Sequence, residues 1–395
     1  VGTGSECMQC HMPERYYMGV DYRPDHSFRI PRPDLSIKIG VPNACNRCHV
    51  DKTVQWSVDA MAKWYGKKKR PHYGTTLAAG RQQNPDALAE LVRLAGDRLY
   101  PDIVRATALS LASSYPDEIA VEALRRSLSD ESALIRYTAV NRLAIPDPGQ
   151  RSTLVGPLLY DPVRAVRIEA ARSLVAAGRQ GLSPSLQQPY EKALAEYITA
   201  MERTGDFAAS RHNLGNVYAD LGQTDRAIGH YRRAIAIDRL FYPAKVNLAM
   251  LYNAKGQIDQ AEALLREVVQ EYPDLYEVKY SLGLLLAEKK AYEDAVIYLG
   301  DAAAGLPQRS RIQYNLALLL KQLKQNPQAE TALQRALSVE PNNPDYLSAL
   351  AVLYIEWDRP DDALEAALQL REAHPTLAMG RDLVNYIRRS QDEKK

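Results

Sequence analysis

A chain of 395 residues, 46% hydrophobic and 25% charged, is too long for one compact core and ordinary in composition for a protein that folds in water. Its formal net charge of +2 excludes the dense positive field that a nucleic-acid partner draws on. No run approaches the roughly 18 apolar residues that a membrane-spanning helix needs, so no transmembrane segment is expected.

The first residues, VGTGSECMQC, have neither a basic n-region nor an apolar h-region. The chain starts with Val and reaches a cysteine at position 7, before any fold could be built around it, which predicts an N-terminus shortened by processing or truncation. Residues 1–75 are rich in Pro, Arg and Tyr, and stretches such as RPDHSFRIPRPDLS lack a helical period and are held extended by following prolines. This segment is predicted to be loop-dominated and unable to fold on its own apolar burial.

All four cysteines lie in it, in two identical arrangements: Cys7-Met8-Gln9-Cys10-His11 and Cys45-Asn46-Arg47-Cys48-His49. C-x-x-C-H is the attachment sequence of c-type haem. Thiols three positions apart reach the two vinyl groups of one porphyrin as thioethers, and the adjacent imidazole is placed under the iron. Two haems c are therefore expected, on Cys7, Cys10, Cys45 and Cys48, with His11 and His49 as proximal iron ligands. A four-cysteine structural zinc site with 34 residues between the pairs is the rival, and it leaves both histidines unexplained. A redox dithiol lacks its βαβ surroundings.

Four side chains compete for the distal iron positions: His26, His72, Met12 and Met18. A His or Met there makes an electron carrier, and an open position admits a small substrate. His26 and His72 rank first. Met12 follows a proximal His too closely to reach the opposite face of the same haem, and Met18 serves equally as gap-filling core. Trp56, Trp64, Tyr16, Tyr17 and Phe28 are expected against the porphyrin planes, and Arg15, Arg29 and Arg32 beside its propionates. His212, His230 and His374 fall in the later repeats and are read as structural.

From 76 to 180 the pattern turns helical. IVRATALSLA, LIRYTAVNRL and AVRIEAARSL place Arg105, Arg136 and Arg167 at a constant spacing of 31, each after an Asp-containing turn. These units resemble HEAT-like repeats that stack into a solenoid. From 181 to 395 a period of 34 appears in Leu214, Leu248, Leu282, Leu316 and Leu350, and again in Ala227, Ala261, Ala295, Ala329 and Ala363. Gly222 or Gly256 marks the turn, and Pro273, Pro307, Pro341 and Pro375 close successive units. This is similar to the 34-residue tetratricopeptide repeat (TPR). The tail DLVNYIRRSQDEKK is expected to cap the array as an amphipathic helix. The predicted fold class is all-α, a loop-rich dihaem segment followed by a HEAT-like and TPR α-solenoid.

CMQCHMPERYYMGVDYRPDHSFRIPRPDLS and PNACNRCHVDK, followed by Trp56 and PHYG, resemble the last haem segments of multihaem c-type cytochromes that continue into tetratricopeptide repeats. The resemblance runs along the whole chain in order. It implies further haem motifs and an export signal upstream, bis-His haems close enough to pass electrons, and His26 and His72 as the non-motif histidines, with the iron that each serves left open. It also implies a bacterial protein of the periplasm or cell exterior. The expected function is electron transfer with redox partners, other cytochromes or a reductase, and protein docking on the repeats, the chain itself being a carrier rather than a catalyst. The alternatives are a haem enzyme reducing a small nitrogen or sulfur oxyanion, and a scaffold whose haems are structural or sensory.

Overall fold

Prolines at the first turn and side-chain caps such as Thr53, His72, Asp117, Asp147 and Asn343 set where several of the helices start. The computed structural model describes residues 6–26, 28, 30–66 and 71–393, and divides into two compact units, residues 1–197 and 198–395.

In the first unit, α1 (Cys7–His11) is a single helical turn. A hairpin follows, β1 (Glu14–Tyr17) antiparallel to β2 (Asp21–Pro24), with Tyr16 opposite Tyr22. Left-handed Met18 and Gly19 turn the chain between the strands. Helix α2 (Pro33–Ile39) starts on a proline, whose missing N–H costs nothing there, and stops at left-handed Gly40. Then come α3 (Cys45–Cys48) and α4 (Val54–Tyr65), whose N-cap Thr53 accepts the Trp56 N–H. Among the described residues the chain is all-helical as expected apart from this hairpin, and the segment 1–75 is less loop-dominated than its sequence suggests. It holds a hairpin and a twelve-residue helix, and Met18 sits at the hairpin tip, 94% exposed, rather than filling a core.

Next come α5 (Tyr73–Arg81), α6 (Ala87–Gly96), α7 (Asp102–Ala112), α8 (Glu118–Ser127), α9 (Ala133–Arg142), α10 (Pro148–Val155) and α11 (Arg164–Ser173). Helix α12 (Pro184–Arg203) contains the division between the units. Helices α7, α9 and α11 pack side by side, and the arginine column joins them. Arg105 pairs with Asp130 and Arg136 with Asp161, each across 25 residues, while Arg167 pairs with Glu196. Each of the two aspartates also accepts a backbone N–H two residues on, from Ser132 and Val163. Every charge in this ladder is matched and hydrogen-bonded, which is what makes such buried ions tolerable.

The second unit consists of antiparallel pairs: α13 (Ala208–Asp220) with α14 (Thr224–Ile237), α15 (Tyr242–Ala254) with α16 (Ile258–Glu271), α17 (Tyr276–Glu288) with α18 (Tyr292–Gly305), α19 (Ser310–Gln322) with α20 (Asn326–Val339), and α21 (Pro344–Glu356) with α22 (Pro360–Ala373). Helix α23 (Ala378–Glu393) closes it, burying Val384 and Ile387. The Leu and Ala columns are all buried. A methyl group added at Gly215 would overlap the Tyr231 ring, so close approach of α13 and α14 demands the small residue. The turn inside each pair uses a left-handed residue at the same repeat position: Gly222, Gly256, Lys290, Lys324 and Asp358.

Candidate functional site

Both C-x-x-C-H sequences wind into short helices, so the two thiols of each pair lie one turn apart on one helix. Backbone bonds from Met12 N–H to Met8 O and from His49 N–H to Cys45 O close the turns. Cys7, Cys10 and Cys48 are exposed, Cys45 is half-buried, and all four are free thiols. Burial, and then the nearness of Cys10, push the Cys45 thiol above its usual range. Among the described residues no group of three or more His, Cys, Asp or Glu gathers to hold a metal ion.

Each motif histidine lies against an aromatic ring. His11 stacks on Phe28 with centroids 4.5 Å apart and the planes within 1°. His49 meets Trp56 at 4.8 Å, tilted by 53°. The second motif is pinned by residues that no sequence pattern singles out. Asn46, inside the motif, accepts from the buried Ser57 of α4 at 3.0 Å and from Asn43 at 3.0 Å, and donates to Lys52 O at 2.8 Å. Asn43 in turn donates to Ser36 of α2 at 3.1 Å, and Arg47 reaches the Tyr22 hydroxyl of the hairpin at 3.1 Å.

The candidate distal ligands differ in kind. His26 is exposed just after β2, and Met12 is half-buried at the end of α1. His72 is the N-cap of α5: its Nδ1 accepts the Gly74 N–H at 3.0 Å, and its ring stacks on Tyr73 at 4.4 Å. A neutral imidazole that binds iron through Nε2 carries its proton on Nδ1. His72 could do so only by giving up this cap.

Arg15 pairs with Asp25 at 3.4 Å and Arg32 with Asp34 at 2.8 Å; Arg29 lies outside the described residues. Of the aromatic groups expected on porphyrin, Tyr16, Phe28 and Trp64 are 68%, 65% and 65% exposed, whereas Tyr17 is half-buried beneath Arg15 and Arg23. The two free thiols, the adjacent imidazole and this bare aromatic surface fit a covalently held, flat, apolar group.

In the second unit, His212 is half-buried. Burial lowers its pKa, and it bonds Asn247 at 3.0 Å between Tyr231 and Phe241. Asn247 also donates to Asn216 at 2.8 Å, and Asn315 to the Tyr280 hydroxyl at 2.8 Å. Beside these lies a further column with the same 34-residue period, absent from the expectations above: Met250, Leu284 and Leu318, all exposed on the first helix of successive pairs.

The tetratricopeptide repeat family matches residues 218–280 and 286–353, and a second form of it matches 187–239. These are tetratricopeptide repeats. Among solved structures, the chain is similar to MamA, at 19% identity over 43% of this chain and 93% of that one, with a TM-score of 0.41. It is also similar to YrrB, described as a TPR protein with an unusual peptide-binding site, at 17% identity over 47% and 96%, with a TM-score of 0.43. A third is MamA from Desulfovibrio magneticus RS-1, at 19% identity over 43% and 96%, with a TM-score of 0.40. No curated protein matches the chain. No described helix is long and apolar enough to cross a membrane.

Proposed function

We propose that the chain is a dihaem c-type electron-transfer protein of the periplasm or cell exterior, which docks redox partner proteins on its tetratricopeptide array. The observation that carries this reading is the duplicated site: two one-turn helices, each with two free thiols and an imidazole set against an aromatic ring.

Cys7 and Cys10 would hold one haem and Cys45 and Cys48 the other, with His11 and His49 as proximal ligands. The bound group supplies one-electron exchange at iron. The chain's own part is to orient and exclude water. Phe28 and Trp56 fix the two imidazole planes, Asn46 holds the second motif against α2 and α4, and the exposed aromatic groups would shield a bound porphyrin from water. His26 is the favoured distal ligand, since its ring has no helix cap to surrender. Tetratricopeptide repeats mediate protein–protein contact, and the exposed Met250, Leu284 and Leu318 supply an apolar seam for a partner.

The test is a visible spectrum of the purified protein, oxidised and dithionite-reduced, with pyridine haemochrome quantification and a carbon monoxide challenge. Two low-spin haems per chain that ignore carbon monoxide are expected. A carbon monoxide-binding haem would turn the reading to a reductase of a small oxyanion, and a haem-free chain with bound zinc would defeat it.

A further inference from the structure

A cleft of about 410 Å³ opens between α2, α5 and α6, within the size range of small-molecule sites. Three cations line it from separate places: Arg32 before α2, Lys38 in the last turn of α2, and Arg93 in α6. Each arginine is aimed by its own carboxylate. Asp34 takes two bonds from Arg32, at 2.8 and 2.9 Å, and Glu90 takes two from Arg93, at 3.2 and 2.6 Å. Lys38 has no carboxylate partner among the described residues, so the wall keeps a net positive charge even with Asp34 and Glu90 counted.

The remaining wall is aromatic and hydroxylic, with Leu35, Pro71 and Leu94 adding aliphatic surface. Tyr73 stands edge-on to Tyr100 at 5.9 Å, with His72 stacked on its other side, and Thr75 and Thr76 line the same opening. Guanidinium and ammonium groups select anionic oxygens, and flat rings select a flat body.

We propose that this cleft binds a planar ring carrying two carboxylates. Such a ligand has two sources: the propionate-bearing edge of a porphyrin held by this chain, or a free aromatic dicarboxylate. The porphyrin source rests on the haem reading, which also uses Arg32 and His72; the free ligand does not, since Lys38, Arg93, Tyr73 and Tyr100 of the cleft have no part in that reading.

The experiment titrates the full-length chain with benzene-1,2-dicarboxylate by calorimetry, both as the haem-free form and after c-type maturation. The Lys38→Gln/Arg93→Gln double variant is titrated alongside. Both substituted residues are exposed, and matched thermal melts confirm that the variant keeps its fold. Saturable binding by the haem-free chain is expected, weakened about tenfold or more in the double variant, as loss of charge-assisted bonds requires. If maturation abolishes the binding, the porphyrin's own carboxylates occupy the cleft; if the matured chain binds equally well, the ligand is free. Failure of maturation would sink the haem assignment and leave the haem-free titration to decide the cleft. No binding, or equal binding by the double variant, overturns the proposal.

Discussion

Arg136 donates to both carboxylate oxygens of Asp161, at 2.6 and 3.0 Å, although 25 residues separate them. Asp161 is only 4% exposed at its side chain and Arg136 13%. Arg136 also donates to the backbone carbonyls of Asp130 and Glu131, at 2.8 and 2.9 Å, so one side chain ties two consecutive turns together.

Replacing Arg136 by Met leaves the Asp161 carboxylate buried without its cation. The expected loss is on the order of 3 kcal/mol of unfolding free energy in the first unit. Chemical denaturation followed by circular dichroism measures it, and adding Asp161→Leu to Arg136→Met should restore much of the loss. A double variant no more stable than the single one would show that the ladder acts otherwise.

The ladder also fixes an acid response. Burial pushes Asp130 and Asp161 upward, but hydrogen bonds from Arg105 and Arg136, with backbone N–H groups, bring both below the ordinary carboxylate value. A depressed folded value contributes stability that is fully present above the unfolded value, about 3.9, and is lost as pH falls through the folded one. The ladder's contribution to the first unit should therefore hold steady between about pH 7 and 5 and drop below about pH 4, read as the difference in thermal midpoint between the natural chain and a ladder variant. Asp161→Asn should lower the plateau and flatten that drop.

The left-handed turn positions Lys290 and Lys324 carry a Cβ where Gly222 and Gly256 carry none. Lys324→Gly should raise the stability of the second unit by up to about 1 kcal/mol, the relief of left-handed strain less the added entropy of the unfolded glycine. A higher melting temperature is the readout.

His72 and His26 separate cleanly by substitution. His72→Asn keeps a side-chain acceptor for the Gly74 N–H, so the helix and the visible spectrum should both persist, whereas His72→Ala should cost about 1 kcal/mol of stability for the lost cap. If the chain holds haem as proposed, His26→Ala should open one iron to carbon monoxide. A spectral change in His72→Asn with none in His26→Ala would reverse the ligand assignment.

The repeats are legible in the sequence because each buried column recurs at a fixed interval, as Leu214 to Leu350 do, and burial acts at every recurrence. The partners of the arginine column are harder to read. Asp130 and Asp161 stand in turns whose aspartates are plain in the sequence, but their link to Arg105 and Arg136 exists only once successive helices stack. Asn46 is hidden inside a motif whose x positions carry no chemical demand, and its contacts, Asn43 and Ser57, come from different elements. The hairpin escapes because four-residue strands with Pro24 at one end give too short an alternation to stand out. His72 passes for a loop ligand because an N-cap is recognised by the helix it opens, and Tyr73-Gly74 does not announce a helix.

The arginine ladder makes whole periods the unit in which this part of the chain can change length. Excising 31 residues after Arg105 would set Asp161 at the distance along the chain that Asp130 now holds, and the pairing would close again. Excising 30 would misalign the arginine from its carboxylate and rotate the following helix by about 100°, burying its polar side. Insertions and deletions here are quantised, and a lineage could lengthen or shorten the segment only by duplicating or dropping complete turns of the ladder.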